Sequence, residues 1–252
     1  MQAILVQGLG FGDEGKAGVT ESLVKKTKAK FVVRFNGGLQ AGHNIVLEDG
    51  FSHCFSQFGS GTLSGANTYL SKYMMFDPLS CMKEAEHLQS RISDIYKTLY
   101  IDPEAPIVTP YHRVLNRERE KGRGKDNHGS VGLGIGELAG DILFNSNLVI
   151  RAKDLKDDKI LRKKLYTIRA LKADQVKDLG GELDFFENED VLGQCLYRYL
   201  KFVDTGVNLE GRSIKELFKE SETLIFEGAQ GVLLDQWHGF YPNVTWSDCT
   251  FN

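Results

Sequence analysis

Long apolar runs, a basic excess, paired cysteines and proline are missing or scarce in this chain of 252 residues. The longest apolar stretches, such as residues 3–6 and 31–33, fall far short of the roughly 20 residues that cross a bilayer, so no membrane-spanning helix is expected. No basic segment followed by an apolar stretch opens the chain, and a secretory leader is therefore not expected. Lysine and arginine total 31 against 34 acidic residues, a net charge of −3, whereas a general nucleic-acid binder carries a basic excess. The four cysteines, Cys54, Cys81, Cys195 and Cys249, lack CxxC spacing. That argues against a zinc site and a disulfide framework, and it makes a reducing cytoplasm the expected compartment. Five prolines beside 41% hydrophobic and 26% charged residues exclude collagen, a coiled-coil rod or a disordered tail. The length suits a single domain with a sizeable core.

Glycine, by contrast, is abundant at 27 residues, and its placement carries the reading. Residues 3–7 form an apolar strand ended by Gly8, and residues 8–15 a glycine-rich loop. Residues 16–28 then read as a helix with Val19, Leu23 and Val24 on one face, and 31–35 as a second strand. Strand, loop, helix and strand in so short a span is a βαβ unit of a parallel sheet. Asp49-Gly50 between residues 44–48 and 51–56 signals a hairpin. Residues 69–75 are strand-like, and Asp77-Pro78 supplies an N-cap and first-turn proline for a helix to about residue 91. Another strand is expected near Leu99 and a helix over 111–121. Residues 122–140 hold seven glycines and read as a long loop that touches ligand. Helices are expected over 157–179, 190–202 and 213–220, making 157–222 a helical insert, and a strand over 223–227. The fold class is thus α/β: a mostly parallel central sheet with flanking helices and a P-loop-like nucleotide site, in one domain spanning 1–252.

The first loop, Gly10-Phe-Gly12-Asp13-Glu14-Gly15-Lys16, satisfies both GxGxxG and GxxxxGK. Either pattern sets phosphates against backbone N–H groups at a helix N-terminus. Neither is complete. The second strand ends Arg34-Phe35-Asn36, without the acidic residue that holds a ribose, and Ala17 stands where a Walker loop has Ser or Thr for magnesium. More informative is the Asp13-Glu14 pair inside a phosphate loop. Carboxylates repel polyphosphate unless a cation intervenes or one of them does chemistry; the alternative is a solvated surface pair. Asn36 to Asn44 follows the second parallel strand, so its loop faces the same crevice as the first. There His43 could exchange a proton near neutral pH or be merely structural.

Four blocks in order resemble adenylosuccinate synthetase. The family's W-G-D-E-G-K-G-K loop stands here as Phe11-Gly12-Asp13-Glu14-Gly15-Lys16-Ala17-Gly18. Its G-G-H-N-A-G-H segment stands as Gly37-Gly38-Leu39-Gln40-Ala41-Gly42-His43. Its E-G-A-Q-G-x-L-L-D and Y-P-x-V-T blocks stand at 227–235 and 241–245. The resemblance implies a two-step ligase whose partners are a purine nucleoside monophosphate, a nucleoside triphosphate (GTP in the family) and L-aspartate. Asp13 would take the N1 proton of a 6-oxopurine such as inosine monophosphate, and O6 would attack the γ-phosphate. His43 would serve as general acid, with Mg2+ held by Asp13 and the Gly42 carbonyl. Gly12, Glu14, Gly15 and Lys16 would hold phosphates. Gln40, Ala41, Gly42, Ser130, Val131, Gln230 and Thr245 would line the nucleotide.

Departures from the family pattern are specific. The loop's second lysine is Gly18, and a nucleotide-contacting asparagine is Gln40. The family's T-T-G-R-G-I-G-P becomes residues 130–137, with Val131 for a threonine and Leu133 for an arginine. An arginine donated by a dimer partner falls near Asn145, which weakens the homodimer that the family implies. Family members also continue into an aspartate-binding loop and a guanine-recognising strand beyond Y-P-x-V-T, so the chain is expected to be incomplete at its C-terminus. Besides inosine monophosphate, two alternatives stay open. One is a relative of the viral type that converts a guanine (deoxy)nucleotide to a 2-amino analogue; the other is an inactive nucleotide-binding module.

Overall fold

The computed structural model describes residues 1–126 and 128–250. Its centre is a parallel five-stranded sheet of β1 (Gln2–Gly8), β7 (Thr223–Gly231), β2 (Phe31–Arg34), β5 (Asn67–Leu70) and β6 (Leu99–Ile101), in that spatial order. Every pairing in it is parallel, so the expected α/β class holds. The chain leaves β1, crosses through α1 (Lys16–Thr27) and enters β2 two strand positions away; β7, almost 200 residues later, fills the gap. That crossover leaves the loops after β1 and β2 on either side of the C-terminal end of β7, where open parallel sheets bind ligands.

Glycine makes the convergence possible at two positions. Gly12 has φ 111°, and a Cβ there would stand 2.9 Å from the Gly231 nitrogen; a Cβ on Gly231 would stand 2.1 Å from the Gly10 carbonyl oxygen. The β1 and β7 loops therefore touch backbone to backbone.

The hairpin β3 (His43–Val46) and β4 (Ser52–Phe55) pairs His43 with Phe55 and Ile45 with His53. Its two-residue alternation buries His43 and Ile45 and exposes Asn44 and Val46, which fixes the direction of the imidazole. Helix α2 (Pro78–Leu88) starts as expected, with the Asp77 carboxylate accepting from the Leu79 N–H at 2.9 Å. From α2 the buried Glu84 reaches the segment after the hairpin. Its carboxylate accepts from the backbone N–H groups of Ser56, Gln57 and Phe58 and from the Ser56 hydroxyl, at 2.9–3.1 Å.

The remaining layer is helical: α3 (Pro110–Arg123), α4 (Ile135–Phe144), α5 (Asp158–Asp178), α6 (Asp184–Glu187), α7 (Glu189–Asp204) and α8 (Ile214–Glu220). The buried stripe of α5 runs Leu161, Leu165, Ile168, Lys172, Val176, the spacing of one helix face with a lysine set into it.

Three expectations are corrected. The glycine-rich stretch 122–140 is not one loop: α3 extends to Arg123, Gly124–Asp126 forms a 3-10 turn, and α4 begins at Ile135. Gly136 and Gly140 are therefore helical, tolerated because Leu138, Ala139 and Asp141 supply the buried contacts. The strand expected over 69–75 ends at Leu70. On α1, Ala17, Thr20 and Val24 are buried, while Val19 lies on the outer face and is exposed. Among the described residues, no helix is long and apolar enough to cross a membrane.

Glu84 tests the packing account. Glu84→Ala strands the Gln57 and Phe58 N–H groups inside the protein. At about 1–3 kcal/mol for each unsatisfied buried group, urea unfolding should show a loss of at least about 2 kcal/mol. A change below about 0.5 kcal/mol would show that these bonds do not hold the segment.

Candidate active site

One cleft of about 820 Å³ opens at the carboxyl ends of β1, β2 and β7. Its lining includes Gly12, Asp13, Gln40, Ala41, Gly42, His43, Ser130, Val131, Gln230 and Thr245. Ten of the thirteen residues singled out in the sequence thus share one cavity; Glu14, Gly15 and Lys16 lie off its wall.

Those three have definite places. The Glu14 carboxylate folds back under the loop and accepts from the Gly10 N–H. Asp13 alone of the pair faces the cleft, and it is exposed, so the picture of two carboxylates confronting one polyphosphate is corrected. Gly15 caps α1 in the left-handed region, φ 76°, and among the described residues no side-chain cap bonds to the helix start. The first-turn N–H groups there suit an anion. Lys16 is buried and donates from Nζ to the Gly12 carbonyl at 2.6 Å. Burial lowers its pKa, opposed by the nearby Glu14 carboxylate.

His43 is the best-supported side chain in the cleft. Its Nδ1 lies 2.7 Å from Oε1 of Glu227, a residue of β7 with no solvent exposure. Both Glu227 oxygens are held: Oε2 accepts from the Ser60 N–H at 3.0 Å, and Oε1 accepts from the Ser60 hydroxyl. Arg34, fully buried, sits opposite Glu227 in the β2–β7 register. Burial pushes the Glu227 carboxyl up, but the His43 hydrogen bond and the Arg34 charge outweigh it and hold the group below its ordinary value. An ionised Glu227 can only accept, so Nδ1 carries a proton and Nε2 is the free position of the ring. Among the described residues, Nε2 has no hydrogen-bond partner.

The sequence reading missed Glu227 as a working residue, together with Ser60 and Arg34. A signal existed, because an acid closing the apolar strand segment Thr223-Leu-Ile-Phe-Glu227 is costly to bury without a partner.

Elsewhere in the cleft the predicted residues are less committed. The Oε1 of Gln40 is buried and, among the described residues, has no hydrogen-bond partner. Gln230 accepts through its backbone carbonyl from Gln7 at 2.9 Å. The Ser130 hydroxyl donates to Asn116 at 3.0 Å, and its N–H donates to Glu120 at 3.2 Å. Asn116 and Glu120 on α3 therefore hang the glycine loop, and Val131 is left 71% exposed at its rim.

The adenylosuccinate synthetase family model matches residues 5–252. The adenylosuccinate synthetase of Saccharopolyspora erythraea is 33% identical over 99% of this chain and 57% of its own length. That of Clostridium beijerinckii is 35% identical, with the same coverage of each chain. The chain thus spans a little over half the length of these curated relatives. Among solved structures, fully ligated adenylosuccinate synthetase from Plasmodium falciparum superposes with a TM-score of 0.82 at 23% identity, over 99% of this chain and 56% of that one. The cyanophage S-2L succinoaminodeoxyadenylate synthetase bound to dGMP and dATP reaches 0.56 at 18% identity, over 97% and 55%. At these identities both structures speak to the fold.

The Glu227–His43 pair makes a pH prediction. The ordinary carboxyl value is 4.5 and the folded-state value lies below it. The stability contributed is therefore complete above the unfolded value and lost as pH falls through the native one. Glu227→Gln should cost about 3 kcal/mol in urea unfolding near neutrality, with a smaller gap to wild type at about pH 3.5. An equal gap at both pH values would show that the carboxylate charge is not what holds the pair.

Proposed function

The chain belongs to the adenylosuccinate synthetase family, and from that premise we propose that it forms the nucleotide-handling part of a ligase. The reaction joins the amino group of L-aspartate to C6 of a 6-oxopurine nucleoside monophosphate, inosine monophosphate first among them, at the expense of a nucleoside triphosphate, GTP as in the family. The observation that carries this reading is the sharing of one cleft by an exposed carboxylate, Asp13, and an imidazole, His43, whose free Nε2 is set by a buried acid.

The chemistry asks for that pair. The C6 oxygen of a 6-oxopurine is a poor leaving group until it is phosphorylated. Asp13, exposed to solvent, takes the N1 proton, and the electron density moves to O6. O6 then attacks the γ-phosphorus, and the P–O bond to the diphosphate leaving group breaks. His43 stands to place a proton from Nε2 on the charge that develops, while Glu227 stabilises the imidazolium. The aspartate amine next adds at C6 and expels phosphate. Open N–H groups at the start of α1 suit the triphosphate, as does Lys16 once it swings from the Gly12 carbonyl. Gln230 and Thr245 border the purine nucleotide.

The oxygen donors on this wall, the Asp13 carboxylate and the Gly42 carbonyl, are hard ligands of the kind magnesium takes, and Glu14 is turned away from them. They would hold Mg2+, which would supply neutralisation of phosphoryl charge.

A second reading rests on Val131, Leu133 and Asn145, all on the cleft wall where the family pattern has a threonine and two arginines. It is a guanine (deoxy)nucleotide acceptor, giving a 2-amino product. Incubating the full-length protein with aspartate, magnesium and triphosphate, and offering inosine and guanine monophosphates in ribo and deoxy forms, separates the two. Aspartate-dependent phosphate release with a shift in purine ultraviolet absorption is expected. Asp13→Asn and His43→Ala should each lower turnover by about two to four orders of magnitude. Phosphate release that ignores aspartate, or variants as active as wild type, would defeat the proposal.

A further inference from the structure

Gln230 reaches the cleft from β7, and a residue that the proposed reaction does not use decides which end of its amide meets a ligand. The thiol of Cys249 donates to Oε1 of Gln230, with Sγ 3.7 Å away. The Ser247 carbonyl lies at a similar 3.6 Å, but it already accepts from the Gln236 N–H at 3.2 Å. Cys249 has no solvent exposure, and burial pushes its thiol up to about 12, so the sulfur keeps its hydrogen near neutrality. A thiol hydrogen pairs with a carbonyl oxygen better than a weakly accepting sulfur pairs with an amide N–H. Cys249 therefore holds the oxygen end of the amide, and Nε2, with two N–H groups, is the end left for the cleft.

The thiol is itself held in place. The Cys249 N–H donates to the buried carboxylate of Asp235, which also accepts from the Trp237 and His238 N–H groups at 2.8 and 3.0 Å. The Asn36 side chain donates to the Asp248 carbonyl at 2.7 Å, and its oxygen accepts from the Ala229 N–H at 2.9 Å. The Gly37 N–H donates to the Ser247 hydroxyl at 3.0 Å. Residues 247–249 are thus tied both to the loop after β2 and to the strand that carries Gln230. On its other side the amide lies against Gly37, where a Cβ would stand 2.9 Å from Oε1. Thiol and amide share one backbone frame.

A 6-oxopurine presents a carbonyl oxygen at C6, and a 6-aminopurine presents an amino group. An amide fixed with Nε2 outward donates to the first and meets the second donor against donor, leaving both groups unpaired. We propose that Cys249 is a positioning residue: by holding Oε1 it fixes Gln230 as a donor to the C6 substituent, so that the site selects oxygen over nitrogen there. The inference rests on the ligase reading, which sets Gln230 at the purine.

Calorimetric titration of the full-length protein with inosine monophosphate and adenosine monophosphate tests it, with GTP as the control ligand. The variants are Cys249→Ala, which removes the donor, Cys249→Ser, which restores one, and Gln230→Glu, which replaces the outward donor with an acceptor; circular dichroism confirms their folding. Wild type should prefer inosine monophosphate at least about tenfold. Cys249→Ala should lower that ratio about five- to tenfold, the scale of one hydrogen bond, with GTP affinity within about twofold. Cys249→Ser should keep the ratio within about threefold of wild type, and Gln230→Glu should abolish the preference. A ratio unchanged in Cys249→Ala, or both monophosphates weakened equally, would overturn the inference by making the cysteine merely structural. So would a serine variant that behaves as the alanine one does, or a preference that survives in Gln230→Glu. A wild type that binds both monophosphates alike would overturn it and leave the ligase reading standing. A wild type that binds GTP but neither monophosphate would defeat the ligase reading, and this inference with it.

Discussion

The hydrogen bond between Nδ1 of His43 and Glu227 is the constraint on which the site is built. It exists because β7 enters the sheet between β1 and β2, which carries an acid from late in the chain beneath a hairpin from its beginning. A carboxylate with no exposure is tolerable only when its oxygens are filled, and Ser60, His43 and the charge of Arg34 meet that need. The same bond decides which imidazole nitrogen is free for chemistry. Fold and proposed reaction therefore meet in one interaction across 184 residues of sequence separation.

Much of this was legible in the residues, for physical reasons. The βαβ opening and the Asp49-Gly50 hairpin follow from local pattern, and so does the helix start at Asp77-Pro78. Local pattern is what short-range backbone and capping preferences control. The loops holding Asp13 and His43 were placed on one crevice by the rule for parallel sheets, and the cleft includes both. What was not legible depends on distant partners. Nothing within residues 223–231 says that the strand lies between β1 and β2. Glycine at 136 and 140 reads as loop, yet α4 forms because Ile135, Leu138 and Ala139 find a core. Val19 reads as buried, yet the sheet lies under Ala17, Thr20 and Val24.

Lys172 is the most instructive case. On helical periodicity it occupies an apolar position of α5, and its partner Asp141 lies 31 residues away on α4. A charge at a core position is a signal in itself, but its sign of purpose appears only when three helices are seen to meet. The cleft then has two unlike walls. One is made of glycine-rich backbone suited to phosphates and a metal, and the other of side chains from α3 and α5. On the proposed reading the first wall handles the triphosphate and the acid–base work.

The most direct measurement follows the C6 oxygen. With a 6-oxopurine monophosphate carrying 18O at O6, together with aspartate, magnesium and triphosphate, the mass of the released phosphate reports which bond was made. The account predicts that the label leaves the purine and appears in inorganic phosphate, once per aspartate joined. Unlabelled phosphate, with 18O still on the purine, would mean that O6 is never phosphorylated and would contradict the roles given to Asp13, His43 and the buried acid behind it.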